Sequence, residues 1–125
     1  MIATGLLSAR PVEGKGFGLF ANDDIPRETL IESSPLIVIP KSQNEKILES
    51  VLGNYVFDSC YNKGQILLCL GFGSLFNHSK NNNCDPWQTP GRMMQFWTNR
   101  KVLAGEELTI KYNADRYLWF TPKEE

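Results

Sequence analysis

Gly71-Phe72-Gly73-Ser74-Leu75-Phe76-Asn77-His78-Ser79, running on into Lys80-Asn81-Asn82-Asn83, is the stretch on which the reading of this 125-residue chain turns. It holds His78, the only histidine. Taken alone, His78 reads as a hydrogen-bonded core or capping residue. Ser79 adjoins it, but neighbours along a strand point to opposite faces, and no G-x-S-x-G elbow surrounds the serine. Serine-hydrolase chemistry is therefore rejected. One histidine without clustered partners cannot fill a tetrahedral metal site, so no metal ligand is assigned. The three asparagines mark a loop, which Pro86 and Pro90 extend.

Two further segments stand at either end of the chain. Gly14-Lys15-Gly16-Phe17-Gly18 is glycine-rich. It lacks the strand-then-helix context of a dinucleotide fingerprint. It reads either as a hairpin turn or as a place where missing side chains let a flat ligand approach the backbone. Gly105-Glu106-Glu107-Leu108-Thr109-Ile110-Lys111-Tyr112 reads as a turn and a strand ending in a tyrosine, itself interpretable as a packed aromatic with a hydrogen-bonded hydroxyl.

Between these segments, short apolar runs alternate with Gly, Pro and Asn, which predicts a mostly β fold. Strands are expected at 2–8, 18–21, 29–32, 36–39, 55–58, 93–98 and 108–111. One helix is expected at 43–52, with Ser42 and Glu45 in capping-box spacing, Ile47, Leu48, Val51 and Leu52 on one face, and Gly53 as its stop. Turns are expected at Pro26 and Gly105. The length suits a single domain over 1–125, and 42% hydrophobic against 22% charged residues is ordinary globular usage. A net charge of −1 gives no basic footprint for nucleic acid. No run approaches the 18 apolar residues of a membrane span, and the first residues lack the pattern of a signal peptide. Cys60, Cys69 and Cys84 are odd in number and contain no CxxC pair, which reads as free thiols in a reducing cytoplasm.

Together the three segments resemble the SET-domain family of protein lysine methyltransferases, with its G-x-G, N-H-S-x-x-P-N and G-E-E-L-x-x-x-Y motifs in this order. Ile31-Glu32-Ser33-Ser34-Pro35 and Asn54-Tyr55-Val56-Phe57 look like segments of compact single-domain bacterial and viral members, so the resemblance covers essentially the whole chain. It departs from the pattern at Asn82, where the family has proline, and in lacking a cysteine-rich segment after Tyr112. The resemblance implies a β-clip-like SET fold of small sheets with one short helix and a C-terminal pseudoknot. The segment Asp115 to Phe120 would then close the site by aromatic packing.

The resemblance further implies S-adenosylmethionine as methyl donor and a lysine in a protein or peptide, such as a histone tail, as acceptor. Donor and lysine would enter from opposite faces. Tyr112 and Tyr55 are the implied catalytic residues, Tyr112 orienting the lysine and the methyl group and Tyr55 lining the lysine channel. Lys15 and Gly16 would contact the donor through the backbone, with Phe17 lining the site. Asn77 would hold the donor's amino-acid end and His78 the adenine edge, while Trp119 or Phe120 would stack on adenine. Trp97 reads equally as core, and Glu107 as structural rather than a base. Ile110, two residues before Tyr112, occupies a position where an aromatic in some members helps set the number of methyl groups added. Homodimerisation and a cytoplasmic location (a host nucleus for a viral source) complete the expectations. The alternative is a catalytically silent SET fold serving as a peptide-binding or assembly module.

Overall fold

The structure is a computed structural model that describes residues 5–112. Its first hairpin pairs β1 (Leu7–Val12) with β2 (Gly16–Ala21), Leu7 opposite Ala21 and Val12 opposite Gly16. The chain then enters β3 (Leu30–Ile39), the helix α1 (Asn44–Glu49), β4 (Val56–Asp58) and β5 (Ile66–Cys69). Next come β6 (Asn77–His78), β7 (Cys84–Gln88), β8 (Met93–Thr98) and β9 (Glu107–Ile110). The strands form two sheets, ordered β1-β2-β9-β6 and β4-β5-β3-β8-β7. The mostly β class with one short helix is therefore as expected.

β3 is a single strand where two were expected, and Pro35 lies inside it. A proline cannot donate to a ladder and is disfavoured in a central strand. Here it falls where β3 changes partner. Residues Leu30 to Pro35 pair with β8, and Leu36 to Ile39 pair with β5. Pro35 thus ends one ladder as the next begins, and its carbonyl accepts the Leu70 N–H at 2.9 Å. Proline in β7 is tolerated for a different reason, since β7 is an edge strand and Pro86 can leave its missing donor outward.

The helix is shorter than the apolar spacing suggests. Its N-cap is Gln43, with no side-chain cap, so the Ser42–Glu45 capping box does not form. Ser50 adopts an extended conformation (φ −92°, ψ 173°) and caps a following 3-10 turn by accepting the Leu52 N–H. That break leaves Ile47 and Leu48 packed on Ile39, Val56 and Ile66, but turns Val51 and Leu52 outward into solvent. Gly53 is kept small by contact rather than by a helix stop. A Cβ there would lie 2.5 Å from the Leu48 carbonyl oxygen.

The main core joins both sheets through Leu19, Ile31, Leu67, Phe96, Leu108 and Ile110. Phe76 stacks on Phe96 with ring centroids 4.4 Å apart and 12° between planes, and Phe57 meets Phe96 edge-on. Aromatic pairs in such geometry contribute about 1 kcal/mol beyond area burial. Because Phe76 directly precedes Asn77, this stack anchors the segment from Gly71 to Ser79.

Candidate functional site

The anchoring continues along the backbone before Asn77. Glu32 and Ser34, both buried, project from β3. Glu32 Oε2 accepts the Phe72 N–H at 2.8 Å and the Ser34 hydroxyl at 3.0 Å, while Ser34 Oγ accepts the Gly73 N–H at 3.1 Å. Gly73 has to be glycine, since a Cβ would sit 2.5 Å from Ser34 Oγ and 2.8 Å from the Phe96 ring. One residue on, Ser74 Oγ accepts the Cys69 N–H and donates to the Tyr55 carbonyl at 2.8 Å. One turn thereby ties β3, β5 and Tyr55 together ahead of Asn77.

Asn77 sits at the meeting of three elements. Its Nδ2 donates to the Phe17 carbonyl at 3.1 Å and to Glu107 Oε2 at 2.7 Å. Both partners are pure acceptors, so the amide can face only one way. Its two N–H bonds are committed, and Oδ1 is the atom left to receive a ligand's donor. Gly18 makes this possible. A Cβ at Gly18 would lie 2.6 Å from Glu107 Oε2, 2.8 Å from Val12 Cγ2 and 3.1 Å from Asn77 Nδ2. Glu107, read from sequence as structural, is the residue that fixes the asparagine.

The glycine-rich segment folds as the β1–β2 turn, closed by Lys15 N–H donating to the Val12 carbonyl at 3.0 Å. Gly16 has φ +79°, the left-handed region that favours glycine. The Tyr55 hydroxyl faces it, 3.6 Å from where a Cβ would stand. Phe17 is half exposed.

β6 lies parallel to β9, Asn77 beside Thr109 and His78 beside Ile110. His78 Nδ1 accepts the Tyr112 N–H at 3.0 Å, and the two rings lie 5.1 Å apart. Nδ1 is an acceptor in this bond and so carries no proton, which places the neutral ring's N–H on Nε2. The Tyr112 hydroxyl donates to the Phe76 carbonyl at 3.4 Å. Tyr112 also lines a cavity of about 280 Å³ with Phe57, Asp58, Trp87, Met94 and Ile110.

Sequence reasoning passed over Asn83, and the structure makes it central. Its side chain is buried, donating to the Glu107 carbonyl and accepting the Thr109 N–H, both at 2.9 Å. It replaces strand pairing along β9. The signal was present, because Asn83 is the last residue of the Asn77 to Asn83 motif, but an asparagine run reads as a solvated loop. At Asn82, the side chain donates to the Cys84 carbonyl at 2.9 Å and to Asp85 Oδ1 at 3.2 Å. Hydrogen bonds thus secure the turn that a proline ring would otherwise stiffen. Cys84 beside it is fully buried. Burial, reinforced by the Asp85 carboxylate, pushes its thiol up to about 12 despite Arg100 and the Thr109 backbone acting the other way.

Of the residues singled out from sequence, the structure gathers Gly16, Phe17, Tyr55, Asn77, His78 and Tyr112 around the junction of β2, β6 and β9, with Lys15 in the adjoining turn. Trp119, Phe120 and the threading of the C-terminal segment lie outside the described residues. Trp97 is on the outer face of β8, 37% exposed, with Nε1 donating to Gln95 Oε1. It is not core.

The family model described as SET domain matches residues 16–113. A Schizosaccharomyces pombe protein named as a histone-lysine N-methyltransferase specific for H3 lysine-37 is 36% identical over 117 residues, covering 91% of this chain and 76% of that protein. A second protein of the same yeast, named as specific for H3 lysine-36, is 33% identical over 114 residues, covering 84% of this chain but 14% of its own length. The chain thus spans about a seventh of that second relative. Among solved structures, the crystal structure of a candidate histone methyltransferase from Plasmodium falciparum superposes with a TM-score of 0.72 at 21% identity, covering 90% of this chain and 97% of the other. That likeness supports the fold.

Proposed function

Since this chain belongs to the SET-domain family of protein-lysine methyltransferases, we propose that it transfers the methyl group of S-adenosylmethionine to a lysine side-chain amine in a histone or histone-like tail. The observation that carries this reading is the Tyr112 hydroxyl, held 3.4 Å from the Phe76 carbonyl oxygen at a cavity wide enough for a side chain.

The residues present fit the donor. When bound, S-adenosylmethionine supplies a methyl group activated by a sulfonium. Asn77, with both its N–H bonds engaged, offers Oδ1 to the ammonium of the donor's amino-acid end. Gly16 presents bare backbone beside the Tyr55 hydroxyl. The Tyr112 hydroxyl and the Phe76 carbonyl bring two oxygens side by side at the cavity, and these would offer a polarised methyl weak CH···O contacts. Their fixed geometry is what aligns an in-line displacement.

The acceptor must be neutral to attack. A free lysine has a pKa of about 10.4, so roughly one in a thousand is uncharged near neutral pH. Phe57, Met94 and Ile110 line the cavity with apolar surface, which disfavours the ammonium by desolvation.

The test is transfer of a labelled methyl group to a mixed histone preparation, followed by acid hydrolysis. The expected result is label recovered as methyl-lysine. Donor binding with no label on lysine in histones or in a whole-cell lysate would overturn the reading and favour a silent peptide-binding fold.

A further inference from the structure

The cavity beside Tyr112 is walled by Phe57, Asp58 and Cys60 around the end of β4, by 86–88 in β7, by Met94 in β8 and by 110–112 at the end of β9. β4 and β7 are the two outer strands of one five-stranded sheet. They are brought face to face by Gln88, whose Oε1 accepts the Cys60 N–H at 2.9 Å and whose backbone carbonyl accepts the Tyr61 hydroxyl at 3.2 Å. Gln88 Nε2 reaches Ser59 Oγ at 3.4 Å, so its amide is spent on holding the walls together. Phe57, Pro86, Met94 and Ile110 contribute apolar surface.

That leaves two charged groups in the lining, Asp58 and Lys111. They stand on different walls. Asp58 is exposed at the last position of β4, and no hydrogen bond or ion pair engages its carboxylate among the described residues. Opposite, Trp87 is 55% exposed. A carboxylate and an open indole in one apolar groove suit a cation with a long aliphatic stem. A guanidinium fits best, because its plane stacks on an aromatic face while its edge meets a carboxylate. Lys111 repels such a group from the wall next to Tyr112.

We propose that Asp58, with Trp87, is a specificity-determining pair that reads a basic residue, arginine above lysine, within about two positions of the target lysine, an extended chain advancing about 3.3 Å per residue. The inference rests on the methyltransferase reading and deepens it. The Asp58–Lys111 pair gives the groove a charge polarity, so the substrate's basic flank lies on the β4 side. Because Asp58 is at a solvent-exposed rim, its contribution falls on association and is sensitive to salt.

The experiment uses peptides with one acceptor lysine in a neutral background and a single arginine moved through the three positions on either side. Rates are measured for the native protein, Asp58→Asn and Asp58→Lys. For the native protein, arginine at one position should lower KM about three- to fivefold against alanine with kcat unchanged, an advantage that fades at high salt. Asp58→Asn should lose that preference, and Asp58→Lys should prefer glutamate at the same position. Methylation by Asp58→Asn with the native positional profile would overturn the inference while leaving the enzyme reading intact. Failure of the native protein to methylate any peptide or histone would overturn both.

Discussion

Asn77 shows how much can depend on one unoccupied volume. The asparagine is held by Phe17 and Glu107 only because Gly18 offers no side chain. Gly18→Ala should expel the Glu107 carboxylate, weaken S-adenosylmethionine binding at least tenfold by calorimetry, and cost about 1–3 kcal/mol in a urea melt through overpacking. Cys84 supports a separate prediction. With its thiol pushed up to about 12, it stays protonated and unreactive at pH 8, so iodoacetamide should label exposed Cys60 and spare Cys84 in the folded protein. The linkage sign follows from the raised value. Its contribution to stability is intact below the ordinary thiol pKa and is lost as pH climbs from about 9 toward 12. A Cys84→Ala variant should therefore show a flatter loss of stability across that alkaline range. Neither Gly18 nor Cys84 could be weighed from sequence. Steric need at a glycine and desolvation of a thiol are set by neighbours that only the fold brings in, Asn77 and Glu107 against Gly18 and the Thr109 backbone against Cys84. The motif residues were legible because resemblance, rather than periodicity, singled them out.

Elements were read well where alternation was local and poorly where a partner decided the outcome. The strands around residues 18–21 and 93–98 emerged from their apolar runs. β7 did not, since Pro86 and a preceding asparagine run argue for a loop, and only pairing with β8 at a sheet edge makes it a strand. β5 was missed because its Ile66-Leu67-Leu68-Cys69 run is short and carries no alternation. The helix was overextended for the opposite reason. Its apolar spacing persists through Leu52, but Ser50 leaves the helical conformation and caps the next turn. At the same scale, the turn from Gly71 to Gly73 is held by side chains of β3. Ser34→Ala should remove one acceptor for a buried N–H and one donor to Glu32, costing about 1–3 kcal/mol in chemical denaturation. It should also weaken donor binding, because the same turn leads into Asn77. An unchanged donor affinity in a destabilised Ser34→Ala protein would separate the turn from the site.

At the scale of the whole fold, β2, β9 and β6 form one junction inside the four-stranded sheet, and Gln88 forms another by linking the two outer edges of the five-stranded sheet. The candidate donor residues lie at the first junction and the groove at the second, with Tyr112 touching both through His78, Phe76 and the cavity wall. The segment expected to cover the site, including Trp119, lies outside the described residues. The central claim is that Tyr112 serves methyl transfer rather than packing, and the most direct measurement compares native protein with Tyr112→Phe. Both should be assayed for S-adenosylmethionine affinity and for label transfer to histone lysine. Phenylalanine keeps the ring beside His78 and removes only the hydroxyl. The account predicts donor affinity within about twofold and transfer reduced at least a hundredfold, a loss of about 2.7 kcal/mol of transition-state stabilisation. Transfer at the native rate by Tyr112→Phe would contradict it.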